Sequence, residues 1–214
     1  MKTPDFLNRD KEFKLFENHI YKKAASTTGR AILLYSNPGI GKARFVQEYV
    51  AKHYPNLLYL DVKIASSSSM IASPYQFVNA LYLKVEEIMS NKVQFNIISS
   101  IEFTWKILSL SLSFEKSSDI PKDILKKLKL IRYFFREWQQ NIIISFENFQ
   151  IIDIESVQII QSFIKNYSNL IIFFEYTTDE LHTSSHLLDL FDYIKEYSVF
   201  SNPIELKKWI HHLY

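Results

Sequence analysis

The residues best equipped for chemistry are Ser36-Asn37-Pro38-Gly39-Ile40-Gly41-Lys42-Ala43, eight positions that hold two of the chain's three glycines. Glycine takes left-handed backbone conformations without steric cost, so a pair of them lets successive N–H groups turn toward one point. A helix starting directly after such a loop adds N–H groups that lack intrahelical acceptors, and the turn becomes a cradle for phosphate. Lys42, just inside that helix, would meet the terminal phosphates as a point charge. The general pattern of this device is G-x-x-x-x-G-K-[ST]. Ser36 replaces its first glycine, one small residue for another. Ala43 replaces the Ser or Thr whose hydroxyl ligates Mg²⁺. Binding a nucleotide is therefore expected to survive more readily than hydrolysing it, and a glycine-rich turn that binds nothing is the alternative.

A phosphate loop needs a carboxylate on a neighbouring strand to hold Mg²⁺, and usually a second carboxylate to activate the attacking water. Asn141-Ile142-Ile143-Ile144-Ser145-Phe146-Glu147-Asn148-Phe149-Gln150 supplies an apolar strand with one acid at its end. In one register Glu147 takes the metal-side place and Asn148 falls where the base should stand. In the other, Phe146 lies on the metal side and Glu147 is the base. A further apolar run, Asn169 to Phe174, ends in Glu175-Tyr176-Thr177-Thr178. Polar groups at the C-terminal ends of such strands face the ligand crevice of an open α/β sheet, so Glu175 and Thr177 are candidates to sense the terminal phosphate or its water. His182 and His186 are four apart but lack the Glu of H-E-x-x-H, and no metal site is expected there.

These residues need elements to hold them. Ala31 to Tyr35 suits a buried strand ahead of the loop, and Arg44 to Val50 carries apolar residues at helical spacing after it. Leu57 to Val62 is a second strand candidate, and strand, helix, strand order implies a parallel sheet. An N-terminal helix opens at Asn8 to Glu12 with Phe13, Phe16 and Ile20 on one face. Ser66 to Ser69 reads as a loop, and Ser73-Pro74 as the start of a helix carrying Phe77, Leu81, Val85 and Ile88. Alternation of Ile107 to Phe114 with serines predicts a half-exposed strand in an inserted hairpin over about 92–116. A long helix follows Asp119-Ile120-Pro121, with Ile124, Leu128, Ile131 and Phe135 inward and the lysines solvated. Helices are predicted over Ile154 to Tyr167 and Leu181 to Tyr197, and a last amphipathic segment from Ile204 to Leu213.

With 214 residues, 47% of them hydrophobic, the chain has material for a substantial core. A net charge of +2 points to no particular partner, and the lack of cysteine excludes a disulfide framework or thiolate metal site. No signal-peptide pattern and no membrane-length apolar run is present, so a cytoplasmic location without membrane association is expected.

Taken with the strand ending at Glu147 and the strand ending at Thr177, the glycine loop resembles that of P-loop NTPases of the AAA+ and STAND type. Phe6-Leu7-Asn8-Arg9-Asp10-Lys11-Glu12 is similar to the "hydrophobic-G-R-E-x-E" box of ORC-type and STAND ATPases, with Asn8 for the usual Gly, and Ile144 to Gln150 to the "I-D-E-F-Q" ending of their Walker B strand. The resemblance spans Phe6 to Thr178. It implies an α/β, three-layer P-loop NTPase fold of the ASCE type, with a mostly parallel central sheet flanked by helices, over 1–200. The helix over 201–214 would be the remnant of a lid domain. It also implies ATP or ADP held by Arg9, Asn37, Pro38, Gly39, Ile40, Gly41, Lys42, Ala43 and Arg44. Mg²⁺ would stand beside Glu147, with Asn148 at the base position and Thr177 reading the phosphate. The function implied is a nucleotide-dependent switch with slow or absent hydrolysis, acting on a protein partner or on a second copy of itself. A degenerate interaction scaffold and a nucleic-acid-associated ORC-like ATPase are the rival readings.

Overall fold

Runs such as Ile142-Ile143-Ile144 and Leu170-Ile171-Ile172-Phe173-Phe174 are apolar at every position, which only a strand covered on both faces tolerates. The structure, a computed structural model, describes residues 13–14, 29–37, 39–64, 74–90, 120–177 and 204–205, and it places these runs at the centre of a parallel sheet. Its strands are β1 (Arg30–Ser36), β2 (Leu58–Lys63), β3 (Ile142–Glu147), β4 (Leu170–Thr177) and β5 (Ile204–Glu205). The spatial order is β2-β3-β4-β1-β5 and every pairing is parallel. The described helices are α1 (Lys42–His53), α2 (Gln76–Ser90), α3 (Lys122–Glu137) and α4 (Ile154–Asn166).

Alternation along each strand divides the apolar residues between two cores. On one face Ile32, Leu34, Ile143, Ile171 and Phe173 pack against Phe45, Val46, Tyr49 and Val50 of α1, with Phe13 laid on Phe45 and Tyr49. The opposite face carries the larger core, where Phe146 and Phe174 meet residues of α2, α3 and α4. There Phe77 lies 4.5 Å from the Phe146 ring and Phe149 4.3 Å from Phe174. Three layers result, as expected.

Two helix starts depend on one residue. Asp153, buried at the head of α4, accepts from Ser156 N at 2.8 Å as that helix's N-cap. The same carboxylate accepts from Tyr75 N and Gln76 N at 2.9 and 3.1 Å, satisfying orphan donors at the start of α2. Gly29 enters β1 where a Cβ would stand 2.8 Å from the Tyr167 carbonyl oxygen, so close approach to the end of α4 requires glycine there.

Two expectations are corrected. The acid-bearing strand does not adjoin the phosphate-loop strand: β4 lies between β1 and β3. Crossover connections, not chain order, set strand position, and the two buried runs are too alike for composition to rank them. Second, Ile204–Glu205 is not the start of a C-terminal helix but a short strand opposite Leu34 and Tyr35. It gives the outer edge of β1 partners for backbone groups that would otherwise be unpaired. The hairpin over 92–116, the serine loop, the Leu181 to Tyr197 helix, most of the N-terminal helix and the remainder of 201–214 lie outside the described residues.

Candidate functional site

The turn between β1 and α1 is built on backbone conformation. Gly39 and Gly41 sit at φ 76° and 83°, and a Cβ built on either meets nothing within 4 Å. Their requirement is thus the left-handed backbone, not space. α1 starts at Lys42 with no side-chain cap and no acidic residue in its first turn, so that turn itself brings no anion to the positive end of the helix dipole.

Lys42 is 9% exposed and its ammonium is aimed by the strand ends. Nζ donates to Ser36 Oγ at 3.1 Å, to the Ser36 carbonyl at 3.4 Å and to Thr177 Oγ1 at 3.2 Å. Ser36 and Thr177 are directly paired in the β1–β4 register, so the two hydroxyls reach the lysine from adjacent strands. In the sequence Ser36 stands only as a small replacement for glycine. In the fold its hydroxyl helps to position Lys42, and it donates onward to the Asn37 carbonyl at 3.0 Å. Gln150 was also missed: its buried side chain accepts from Thr177 N at 3.3 Å, tying the short 3-10 turn Phe149–Ile151 to the end of β4.

The acid side differs. Glu147 ends β3, and its Oε2 lies 3.1 Å from Lys63 Nζ, opposite it on β2. The Lys63 ammonium is held above the usual lysine range, first by that hydrogen bond and then by the Glu147 charge. Asn148 is exposed and left-handed at φ 60°, and its amide nitrogen donates to the Ile64 carbonyl at 3.3 Å. Asparagine tolerates this conformation better than most residues, which gives position 148 a turn-forming role toward β2.

Glu175, expected at the crevice, is instead buried one pleat below Thr177, where it accepts from Ser145 Oγ at 2.5 Å. Burial pushes its carboxyl up to about 7; Glu147 and Asp61 act in the same direction, against the Ser145 hydrogen bond and Lys42. Asp61 on β2 accepts from Gln47 of α1 at 3.3 Å. Burial, followed by the Asp61 charge, raises the nearby Tyr59 phenol well above its ordinary range.

The structure therefore brings together Asn37, Gly39, Ile40, Gly41, Lys42, Ala43 and Thr177 around the β1–α1 turn. Arg44 points elsewhere, 3.8 Å from Glu48 one helical turn along α1. Glu147 and Asn148 are engaged with β2. Arg9 and Pro38 lie outside the described residues. A phosphate anion fits the turn, on the evidence of the two left-handed glycines, the uncapped helix and the aimed ammonium. A magnesium ion fits less well: Ala43 offers a methyl where a hydroxyl ligand belongs, and Glu147 is already paired with a cation.

Sheet, loop and flanking helices together define the P-loop NTPase fold. The chain is similar in structure to a Walker-type ATPase of Pyrococcus abyssi, with a TM-score of 0.54 and 13% sequence identity over 94% of this chain and 53% of that one. It spans about half the length of that neighbour. No family model matches the chain, and no curated protein matches it. No helix among the described residues is long and apolar enough to cross a membrane.

Proposed function

We propose that the domain binds a nucleoside triphosphate, ATP on the strength of its AAA+/STAND resemblance, and serves as a nucleotide-dependent switch with slow or absent hydrolysis. Backbone N–H groups of Asn37 and of Gly39 to Ala43 surround the phosphates, and Lys42 contacts the terminal ones. The observation that carries this reading is the ammonium of Lys42 held by Ser36 Oγ and Thr177 Oγ1 beside two left-handed glycines. The lysine is nearly buried and held at the strand ends, beside a helix start without a side-chain cap, an arrangement that suits an anion-binding turn.

Slow turnover follows from what surrounds the phosphates. The place after Glu147, where a water-activating carboxylate would stand, belongs to an amide committed to the Ile64 carbonyl. Glu175, whose carboxyl burial raises to about 7, lies buried beneath Thr177. The switch is read through Thr177: a phosphate that draws Lys42 away from Thr177 Oγ1 disturbs a residue whose backbone is tied to Gln150, and thereby the turn that joins β3 to α4. The altered surface is then offered to a protein partner or a second copy of the chain.

Filter binding of radiolabelled ATP, combined with phosphate release from the same samples, tests the proposal. The expected outcome is stoichiometric retention of ATP with little phosphate released over many minutes. Rapid release would refute the slow-switch reading, and no retention would favour the interaction scaffold.

A further inference from the structure

The acid end of the site is occupied by the protein's own cation, and the register of the sheet put it there. Lys63 and Glu147 are directly paired in the β2–β3 ladder, so their side chains rise from the same face at the same level. Backbone contacts extend the pairing, since Ile64 N donates to the Glu147 carbonyl at 3.3 Å and Asn148 Nδ2 donates to the Ile64 carbonyl. The end of β3 is thereby fastened to the end of β2. Lys63 also feels the charges of Asp61 and Glu175 after that of Glu147, which keeps it cationic among carboxylates. On the phosphate side, Ala43 contributes no side-chain oxygen.

We propose that this site binds its nucleoside triphosphate without a divalent cation, Lys63 supplying at Glu147 the positive charge that a metal would otherwise bring. The inference rests on the nucleotide reading given above and specifies how that site is neutralised. A triphosphate brings several negative charges toward strand ends that already hold Asp61, Glu147 and Glu175. Without a compensating cation the acids would repel it. Lys63 is a compact point charge on a flexible stem and its side chain is 66% exposed, so it neutralises Glu147 while remaining free to swing toward an incoming phosphate. A Mg²⁺ ion would have to displace Lys63 from Glu147 and would still lack the hydroxyl ligand.

The test is an equilibrium titration of the full chain with a fluorescent ATP analogue, once in excess EDTA and once in excess Mg²⁺. The parent protein is expected to give the same affinity in both buffers within about twofold, a difference too small to represent a lost metal contact. Lys63→Met should weaken binding in EDTA by about fivefold, the scale of one exposed charge, while Lys63→Arg retains it. Abolition of parental binding by EDTA would overturn the proposal, and so would unchanged affinity of Lys63→Met in EDTA. Should Lys63→Met fail to fold, the parent's own comparison decides. No binding in either buffer would sink the nucleotide reading itself, an outcome distinct from binding that requires Mg²⁺.

Discussion

Along the C-terminal edge of the sheet, the β1–β4 end and the β3–β2 end are made by the same parallel pairing yet hold opposite kinds of polar group. At the first, paired hydroxyls from Ser36 and Thr177 converge on the Lys42 ammonium. At the second, the paired residues Lys63 and Glu147 satisfy each other, and Asn148 reaches back to Ile64. On the proposed reading one end takes an anion from outside, while at the other the paired charges of Lys63 and Glu147 meet each other. The difference teaches that holding phosphate and attacking it are separable properties of one sheet edge, because they depend on different strand pairs.

Glu175 lies between the two ends, and its substitution should produce the largest change in stability. Burial raises its carboxyl from 4.5 to about 7, so across that window the folded protein holds a proton that the unfolded chain releases. The stability from this group is complete below about 4.5, declines as pH rises, and is gone once pH passes 7. Glu175→Gln, which can still accept from Ser145, should remove that slope. Unfolding free energies from urea titrations should match the parent near pH 4 and exceed it above pH 7 by up to about 3 kcal/mol. A variant with the parent's pH profile would show that Glu175 does not titrate in isolation between Ser145, Glu147, Asp61 and Lys42.

Gly41→Ala sharpens the phosphate end. Its Cβ meets open space, so the cost is backbone strain of about 1–2 kcal/mol, read by thermal denaturation. Gly29→Ala should cost more, since its Cβ would press on the Tyr167 and Ile164 carbonyls rather than on solvent. A ranking in the opposite order would place the rigidity of this region in the loop and not in the α4 contact.

Asn148→Asp probes the acid end with the smallest expected effect. The new carboxylate cannot donate to the Ile64 carbonyl, so about 1 kcal/mol of stability should be lost, while ATP hydrolysis stays slow because Ala43 still offers a metal ion no hydroxyl and Glu147 stays paired with Lys63. A large gain in phosphate release would instead show that position 148 faces the phosphates once nucleotide is bound.

Much of this was legible in the sequence, for reasons that particular residues make clear. Gly39, Gly41 and Lys42 announce their backbone requirement in their own identities, and the apolar runs of β1, β3 and β4 are explained by burial on both faces. What stayed hidden depends on registers between strands far apart in the chain. Lys63 and Glu147 belong to runs whose periodicity says nothing about which residues meet. Ser145 beside Glu175, and Gln150 beside Thr177, are hidden for the same reason. The place of β4 between β1 and β3 follows from crossover geometry, and the two residues of β5 are too few for any periodicity to reveal. Position 148 was read for the acid it lacks, whereas its left-handed turn explains the asparagine it has.

The central claim, that the β1–β4 end holds nucleotide through Lys42, is tested most directly by calorimetric titration of ATP into the parent protein and into Lys42→Ala side by side. The expected result is one-to-one binding by the parent and a loss of about a hundredfold or more in the variant, the scale of a desolvated, charge-assisted contact. Equal affinity in the two proteins, or heat from neither, would contradict the account.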